Sequence, residues 1–303
     1  MSASNAPRHL LDMTDLDATE IHRILDLAEV DEPPQVLEGS GGVLMFEKAS
    51  ARTRASVEMA VAHLGGHPVS MRGEEVGIDV RESAEDLARL YSGYGAFIGA
   101  RVYEHSKLER MAAVATVPVI NLLSDDAHPV QTLADLLTIR QEFGTLDDLT
   151  VAYVGDANNV ARSLALGVHL VGSRMRIAHP DGYGFSPVAS AALARAGCPL
   201  LVTQDPAVAV SGADVVYTDA WYSMGQEVEA ATRRPHFEPF RVTQAMLGGA
   251  APHAVFLHCL PAHRGDEATD DVLDGSHSRI WPQAHNRLHA TRGLLLDLAG
   301  VRP

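Results

Sequence analysis

Three short segments hold residue types and spacings from which chemistry can be built. The densest is Phe46-Glu47-Lys48-Ala49-Ser50-Ala51-Arg52-Thr53-Arg54. The apolar run Val43 to Phe46 reads as a buried strand, and Ser50 to Leu64 places Val57, Val61 and Leu64 on one helical face. Ser50, Arg52, Thr53 and Arg54 therefore fall in the first turn of a helix. That turn exposes unpaired N–H groups and a partial positive charge, so it holds phosphate well. Hydroxyls can donate to phosphate oxygens, and guanidinium forks grip them bidentately. A capped helix with two solvated arginines explains the same letters, and the segment alone leaves both readings open. The glycines of a P-loop are absent, so a nucleoside triphosphate is not implied.

The second segment is His128-Pro129-Val130-Gln131. Proline suits the first position of a helix, which sets His128 at its mouth and Gln131 in its first turn. The histidine can donate to a carbonyl oxygen, and the glutamine carbonyl can accept from an amide-like NH2. Arg101, after a predicted strand, could reach the same place. The third group is a set of polar loops after apolar runs: Asp156-Ala157-Asn158-Asn159, Asp219 through Ser223-Met224-Gly225, and His258-Cys259-Leu260-Pro261. A carboxylate at Asp219 suits an alkylammonium. Cys259 reads either as a nucleophile or as a polar wall; the first needs a lowered pKa.

These segments need elements to position them. Helical and strand-like stretches alternate, the pattern of an α/β protein with parallel sheets. Expected helices are Thr14 to Glu29, Ser50 to Leu64, Glu82 to Tyr91, Pro129 to about Phe143, Ser186 to Ala196, Pro206 to Ser211 and Asn286 to Leu298. Expected strands are Val43 to Phe46, Ala96 to Ile98, Val117 to Asn121, Thr150 to Val154, Arg174 to Ala178, Leu200 to Thr203, Val215 to Thr218 and Val255 to Leu257. Two doubly wound domains follow, with helices flanking the sheets and interdomain helices joining them. One spans 1–143, with 286–303 returning to it, and the other spans 144–285. In such sheets ligands bind beyond the carboxyl ends of strands, which is where Asp156, Asp219 and His258 fall.

The chain has 303 residues, enough for two cores, and a formal net charge of −15 that disfavours nucleic acid as a partner. In such a field a local cluster of arginines points to a specific anion. Its two lysines are Lys48 and Lys107; nearly all other positive charge is arginine. The two cysteines make no disulfide framework, and its histidines lack HExxH-type spacing, so no metal is expected. No apolar run reaches the ~18 residues of a membrane span. Met1 to His9 lacks the order of a signal peptide, and a cytoplasmic location is expected.

Together the motifs resemble the aspartate/ornithine carbamoyltransferase family over nearly the whole chain. Ser50-Ala51-Arg52-Thr53-Arg54 matches the family's Ser-Thr-Arg-Thr-Arg, and His128-Pro129-Val130-Gln131 its His-Pro-x-Gln. His258-Cys259-Leu260-Pro261, with Asp219 and Ser223-Met224-Gly225, matches the ornithine branch. The resemblance implies transfer of a carbamoyl group from carbamoyl phosphate to ornithine, in arginine metabolism, by a homotrimer or trimer-based assembly without a cofactor. It assigns phosphate to Ser50, Ala51 (through its backbone), Arg52, Thr53 and the helix N-terminus. The carbamoyl carbonyl falls to Arg101, His128 and Thr53, and the carbamoyl NH2 to Gln131 and backbone carbonyls near Cys259 and Leu260. Arg287 closes on the donor; Asn159, Asp219, Ser223 and Met224 hold ornithine. Cys259 and Asp219 position the amine, and no covalent intermediate forms.

Four departures stand out. Ala51 replaces a threonine, Val130 a frequent cysteine, and His285 stands where glutamate is common. Residues Gly73 to Ser83 form a loop about two residues longer than usual; it lacks the family's glutamine, and Glu75 is the nearest substitute. That loop motivates a second reading, a sister enzyme acting on putrescine or a modified ornithine. Ala51 alone would support a third, a non-catalytic paralogue.

Overall fold

The structure is a computed structural model, and it describes residues 6–222 and 229–303. The chain divides into two compact units, Met1–Ala134 with Arg287–Pro303, and Asp135–Asn286. The expected Ser223 and Met224 lie outside the described residues.

Among the described residues, the first unit contains strands β1 (Gly41–Phe46), β2 (His67–Arg72), β3 (Phe97–Arg101) and β4 (Val119–Leu123). They form a parallel sheet in the order β2-β1-β3-β4. Its helices are α1 (Ala18–Ala28), α2 (Ala51–His63), α3 (Gly73–Val76), α4 (Ala84–Ser92), α5 (His105–Ala112) and the start of α6 (Pro129–Phe143). β1 and β3 are buried at every position, as strands covered on both faces must be. β2 is an edge strand with no fully buried residue. It carries Pro68, which an edge tolerates. That weak apolar signal is why the sequence reading passes over it.

Helix boundaries follow capping chemistry. α1 starts at Ala18, later than expected, because Asp17 and Glu20 form a reciprocal capping box there. Asp12 caps a separate 3₁₀ turn, Met13–Asp15. Ser50 caps α2 by accepting from the Thr53 N–H, and Gly65, at φ +77°, turns the chain out after it. Arg101 is the last residue of β3 rather than one beyond it.

The second unit contains β5 (Thr150–Val154), β6 (Arg174–Ala178), β7 (Leu200–Thr203), β8 (Val215–Thr218) and β9 (Val255–His258). All pair in parallel, in the order β7-β6-β5-β8-β9. The helices are α7 (Asn159–Leu170), α8 (Pro187–Arg195), α9 (Pro206–Val210), α10 (Ala230–Phe237), α11 (Gln244–Leu247) and α12 (Asp270–Leu273). Val154, Val216, Phe256, Phe240 and Ile280 meet in one buried cluster. Tyr153 and Tyr217 stack with centroids 5.5 Å apart.

The last helix, α13 (Ile280–Leu298), begins before the expected Asn286. Pro282 lies in its first turn, where the missing N–H has no helical partner to lose. Within the first unit its later part meets α1 at backbone distance: a Cβ on Gly293 would lie 2.2 Å from the Ile24 carbonyl oxygen and 2.7 Å from Ala28 N. Arg292 donates to the carbonyls of Ala28 and Val30, each at 2.7 Å. Buried Asp297 accepts from Arg8 at 2.9 Å and Arg23 at 2.5 Å. An exposed helical Gly→Ala change stabilises by about 0.5–1 kcal/mol. Gly293→Ala should reverse that sign and destabilise by ~1–3 kcal/mol as the helices are forced apart. Denaturant unfolding of the variant checks this; equal or higher stability would contradict the packing described.

Candidate functional site

In each sheet the strand order reverses once, and there the loops leaving the carboxyl ends part in opposite directions. In the first unit the reversal lies between β1 and β3, in the second between β5 and β8. Of the polar segments singled out in the sequence, Phe46 to Arg54 follows β1, Asp156 to Asn159 follows β5 and Asp219 follows β8, whereas His128 to Gln131 comes after β4 and Cys259 to Pro261 after β9.

In the first unit, Phe46 pairs with Arg101 across the ladder. The next residue, Glu47, ties the two strand ends together. Its N–H donates to the Arg101 carbonyl at 2.9 Å, and its carboxylate accepts from Tyr103 N–H at 3.0 Å and Lys107 Nζ at 2.7 Å. Thr53 and Arg101 are buried, and Arg101 Nη1 donates to Thr53 Oγ1 at 3.4 Å. His128, Gln131 and Arg287 are buried too. Arg287 Nη1 donates to Gln131 Oε1 at 2.5 Å and lies 3.4 Å from His128 Nε2. Burial first, then the Arg287 and Arg101 cations, hold the His128 imidazole well below its ordinary value. At neutral pH the ring is therefore uncharged, able to donate one hydrogen bond without carrying charge. Arg52 is exposed and Ser50 half-buried. Arg54 is turned onto Glu58, with Nε to Oε1 at 2.7 Å.

A cavity of about 460 Å³ opens beside this helix start, lined by Ser50, Ala51, Arg54, Arg72 and Glu74 among others. The long loop beyond it is braced. Arg110 forks onto Asp79 at 2.8 and 2.9 Å and onto Glu85 at 2.8 and 2.5 Å. Glu75 is exposed, and its Oε2 accepts from Arg72 N–H at 2.7 Å.

In the second unit, Asp219 follows β8 and is held from three sides. Asn158 Nδ2 donates to its Oδ2 at 2.9 Å; Ala220 N–H and Cys259 Sγ donate to its Oδ1 at 2.8 and 2.9 Å. Asn158 caps α7 by accepting from Val160 and Ala161 N–H. Asn159, the expected acceptor ligand, accepts from Val160 N–H at 3.1 Å. Asp156 pairs with Arg233 Nη1 at 2.8 Å. Burial raises the Asp156 pKa, and Arg233 opposes that rise.

Cys259 is governed by the same surroundings. Burial first, then the Asp219 charge, push its thiol well above the ordinary range, so it stays an S–H donor at neutral pH. The adjacent His258 is fully buried, with Nε2 3.0 Å from Glu267 Oε1 and Nδ1 2.9 Å from Leu260 N. With both nitrogens engaged, it is no base for the thiol. The covalent reading of Cys259 therefore lacks both requirements. Ligand atoms of Asp219, His258 and Cys259 lie within 4.8 Å of one another. The His258 lone pair, however, is committed to the Leu260 N–H, which disfavours coordination.

The structure thus gathers Thr53, Arg101, His128, Gln131 and Arg287 within one unit, and Asp219, Asn159 and Cys259 around neighbouring strand ends of the other. Sequence reasoning missed Glu47 and Asn158 as organising residues. Both lay inside the quoted segments. Asn158 carried a signal, a cap residue before an apolar run; Glu47 carried none, since its partners Tyr103 and Lys107 are remote in sequence.

Comparison with known proteins bears on both units. Residues 8–141 match the family model described as aspartate/ornithine carbamoyltransferase, carbamoyl-P binding domain. Residues 147–298 match the Asp/Orn binding domain of the same family. The chain is 45% identical over 299 residues to the ornithine carbamoyltransferase of Nostoc punctiforme, covering 97% of this chain and 98% of that protein. It is 44% identical over 314 residues to the anabolic ornithine carbamoyltransferase of Pyrococcus furiosus, covering all of both. The solved ornithine carbamoyltransferase from Pyrococcus furiosus superposes with a TM-score of 0.92, at 43% identity, over 99% of this chain and 100% of that one.

Because its thiol is held protonated, Cys259 should alkylate with iodoacetamide at pH 8 far more slowly than an ordinary cysteine of pKa ~8.5. Rapid labelling at that site, traced by peptide mass spectrometry, would restore the nucleophile reading.

Proposed function

The chain belongs to the aspartate/ornithine carbamoyltransferase family, and from that premise we propose that it carbamoylates L-ornithine with carbamoyl phosphate, releasing L-citrulline and phosphate. The observation that carries this reading is the buried cluster of Thr53, Arg101, His128, Gln131 and Arg287 within the first unit. Two buried guanidiniums beside an uncharged imidazole suit an anionic donor with a polarisable carbonyl.

In this reading residues 1–143 with 286–303 bind carbamoyl phosphate, and 144–285 bind ornithine. Ser50, Arg52, Thr53 and the backbone N–H groups at the start of α2, that of Ala51 included, take the phosphate. Alanine at position 51 lacks the hydroxyl of the family's threonine but leaves those backbone donors in place. Arg101 and His128 polarise the carbamoyl carbonyl, and Gln131 accepts from the carbamoyl NH2. Arg287, which grips Gln131 in this structure, turns to the donor when it binds. The Cys259 and Leu260 carbonyls are assigned to the NH2 as well. Asp219, with Asn159, Ser223 and Met224, holds ornithine, and the Cys259 thiol keeps Asp219 aligned.

The unprotonated side-chain amine attacks the carbamoyl carbon, negative charge grows on the carbonyl oxygen, the C–O bond to phosphate breaks, and the proton shed by the attacking nitrogen leaves on the phosphate. Preorganised donors at such positions are worth about 10²–10³ in rate each, and alignment of the two substrates contributes further. No cofactor enters this scheme. We assign the enzyme to the cytoplasm as a homotrimer or a trimer-based assembly; among the described residues, no helix is long and apolar enough to cross a membrane. The braced 73–83 loop, which differs from the family pattern, favours testing other acceptors.

Purified enzyme given carbamoyl phosphate should form citrulline. Its kcat/KM for ornithine should exceed that for putrescine by about 10²–10⁴, because a site built for an α-carboxylate and α-amine is left unpaired without them. Equal or better use of putrescine or an N-acylated ornithine would transfer the assignment to a sister enzyme, and no turnover with any amine would end it. Arg52→Ala should weaken phosphate binding by about 10- to 100-fold in calorimetry, the loss expected for one charged hydrogen bond. Its melting temperature should not move, because Arg52 is exposed.

A further inference from the structure

We propose that Tyr153 and Tyr217 are a pair of positioning residues: their hydroxyls fix Asn158 and the backbone leading into Cys259, the two side chains that grip opposite oxygens of Asp219. The catalytic consequence rests on the transferase reading above; the hydrogen-bonded arrangement does not.

Tyr153 of β5 and Tyr217 of β8 are register partners. Side chains alternate along a strand, and Ala152, Val154 and Val216 enter the apolar cluster of this unit. The tyrosines therefore face the other side, where their rings stack at an interplanar angle of 18°. Both are fully buried. Phenylalanine offers the same ring, so the two hydroxyls are what tyrosine adds, and a buried hydroxyl is costly unless it is hydrogen-bonded. Burial first, then the Asp219 charge for Tyr153 and the Asp135 charge for Tyr217, push both phenols well above their ordinary range. Both stay protonated donors at neutral pH.

Tyr153 Oη donates to Asn158 Oδ1 at 3.4 Å. That oxygen also accepts from the Val160 and Ala161 N–H groups, which leaves Nδ2 to donate to Asp219 Oδ2 at 2.9 Å. Turning the amide over would set its NH2 against three donors. Tyr217 Oη donates to Asp135 Oδ2 at 3.2 Å and accepts from Gln283 Nε2 at 3.2 Å. The same Nε2 donates to Asp135 Oδ1 at 2.7 Å, and Gln283 Oε1 accepts from His258 N–H at 2.8 Å. Tyr217, Asp135 and Gln283 thus close a buried ring of hydrogen bonds that orients the Gln283 amide and, through it, the backbone at the end of β9. Cys259 is the next residue. Its Sγ lies within hydrogen-bonding reach of Tyr217 and donates to Asp219 Oδ1 at 2.9 Å. Each tyrosine therefore acts on one oxygen of the acceptor-binding carboxylate through an intermediary.

Tyr153→Phe and Tyr217→Phe each delete one hydroxyl from the full-length enzyme and keep the ring. Assayed well below each variant's melting temperature, kcat/KM for ornithine should fall about 3- to 10-fold in each, the loss of one net hydrogen bond. KM for ornithine should carry the change, and KM for carbamoyl phosphate should not move. In an Asn158→Ala background, Tyr153→Phe should have no further effect, because its route to Asp219 is already gone. The infrared S–H stretching band of Cys259, identified by its loss in Cys259→Ser, should lie in wild type at the low frequency of a thiol bonded to a carboxylate and should rise in Tyr217→Phe. Unchanged ornithine kinetics in either Phe variant, equal shifts in both KM values, an additive Tyr153–Asn158 cycle or a band that Tyr217→Phe leaves in place overturns the proposal. A wild-type band at the frequency of a free thiol overturns it even if neither variant folds. Wild-type enzyme without turnover would defeat the transferase reading while leaving the infrared result intact.

Discussion

Where β1 lies parallel to β3, the backbone ladder sets Phe46 opposite Arg101, and the loop after Phe46 is brought against the end of β3. A parallel sheet sends all its carboxyl ends to one edge, and reversal of the strand order opens a gap there between diverging loops. The Glu47 N–H continues the ladder one step beyond the strand, to the Arg101 carbonyl. Its carboxylate then fastens Tyr103 and Lys107. The start of α2 is therefore placed by backbone pairing and by one partly buried ion pair. The β5–β8 pair does the same in the second unit, delivering Asn158 and Asp219 to a mutual hydrogen bond of 2.9 Å.

The electrostatics of the two units are opposite. Buried guanidiniums at Arg101 and Arg287 carry a desolvation cost, and His128, beside them, avoids adding to it by remaining uncharged. An anionic ligand offsets such a cost. Around Asp219 the donors that meet the carboxylate are an amide, a backbone N–H and a thiol. All are neutral, so the negative charge stays available to an ammonium group. Within a chain of net charge −15, the concentration of cationic side chains in one cluster is a local exception with a local purpose.

The departures from the family pattern fall where the structure can absorb them. Ala51 is exposed, at the first position of α2, where the backbone N–H groups serve an anion whatever side chain is present. The long loop before α4 is held by the Arg110 forks on Asp79 and Glu85, with Gly77 and Asp79 turning the chain at φ 59° and 58°. Glu75 is committed to capping α3 through the Arg72 N–H.

By itself the sequence determined the alternation of elements, both helix starts that matter, and the composition of each polar segment. Strands β5 to β8 and helix α6 are legible in it to the residue, because short apolar runs and a proline at a helix start are written in contiguous letters. Only the tertiary structure decided which nitrogen of His258 carries its proton, that Cys259 is a donor rather than a nucleophile, and that Glu47 and Asn158 organise the two strand ends. It also placed β2, whose half-exposed letters carry no apolar period, and moved the start of α13 back to Ile280. The reason is the same in each case: a pKa, a tautomer or an edge pairing depends on groups far away along the chain, and their distances exist only once the chain has folded.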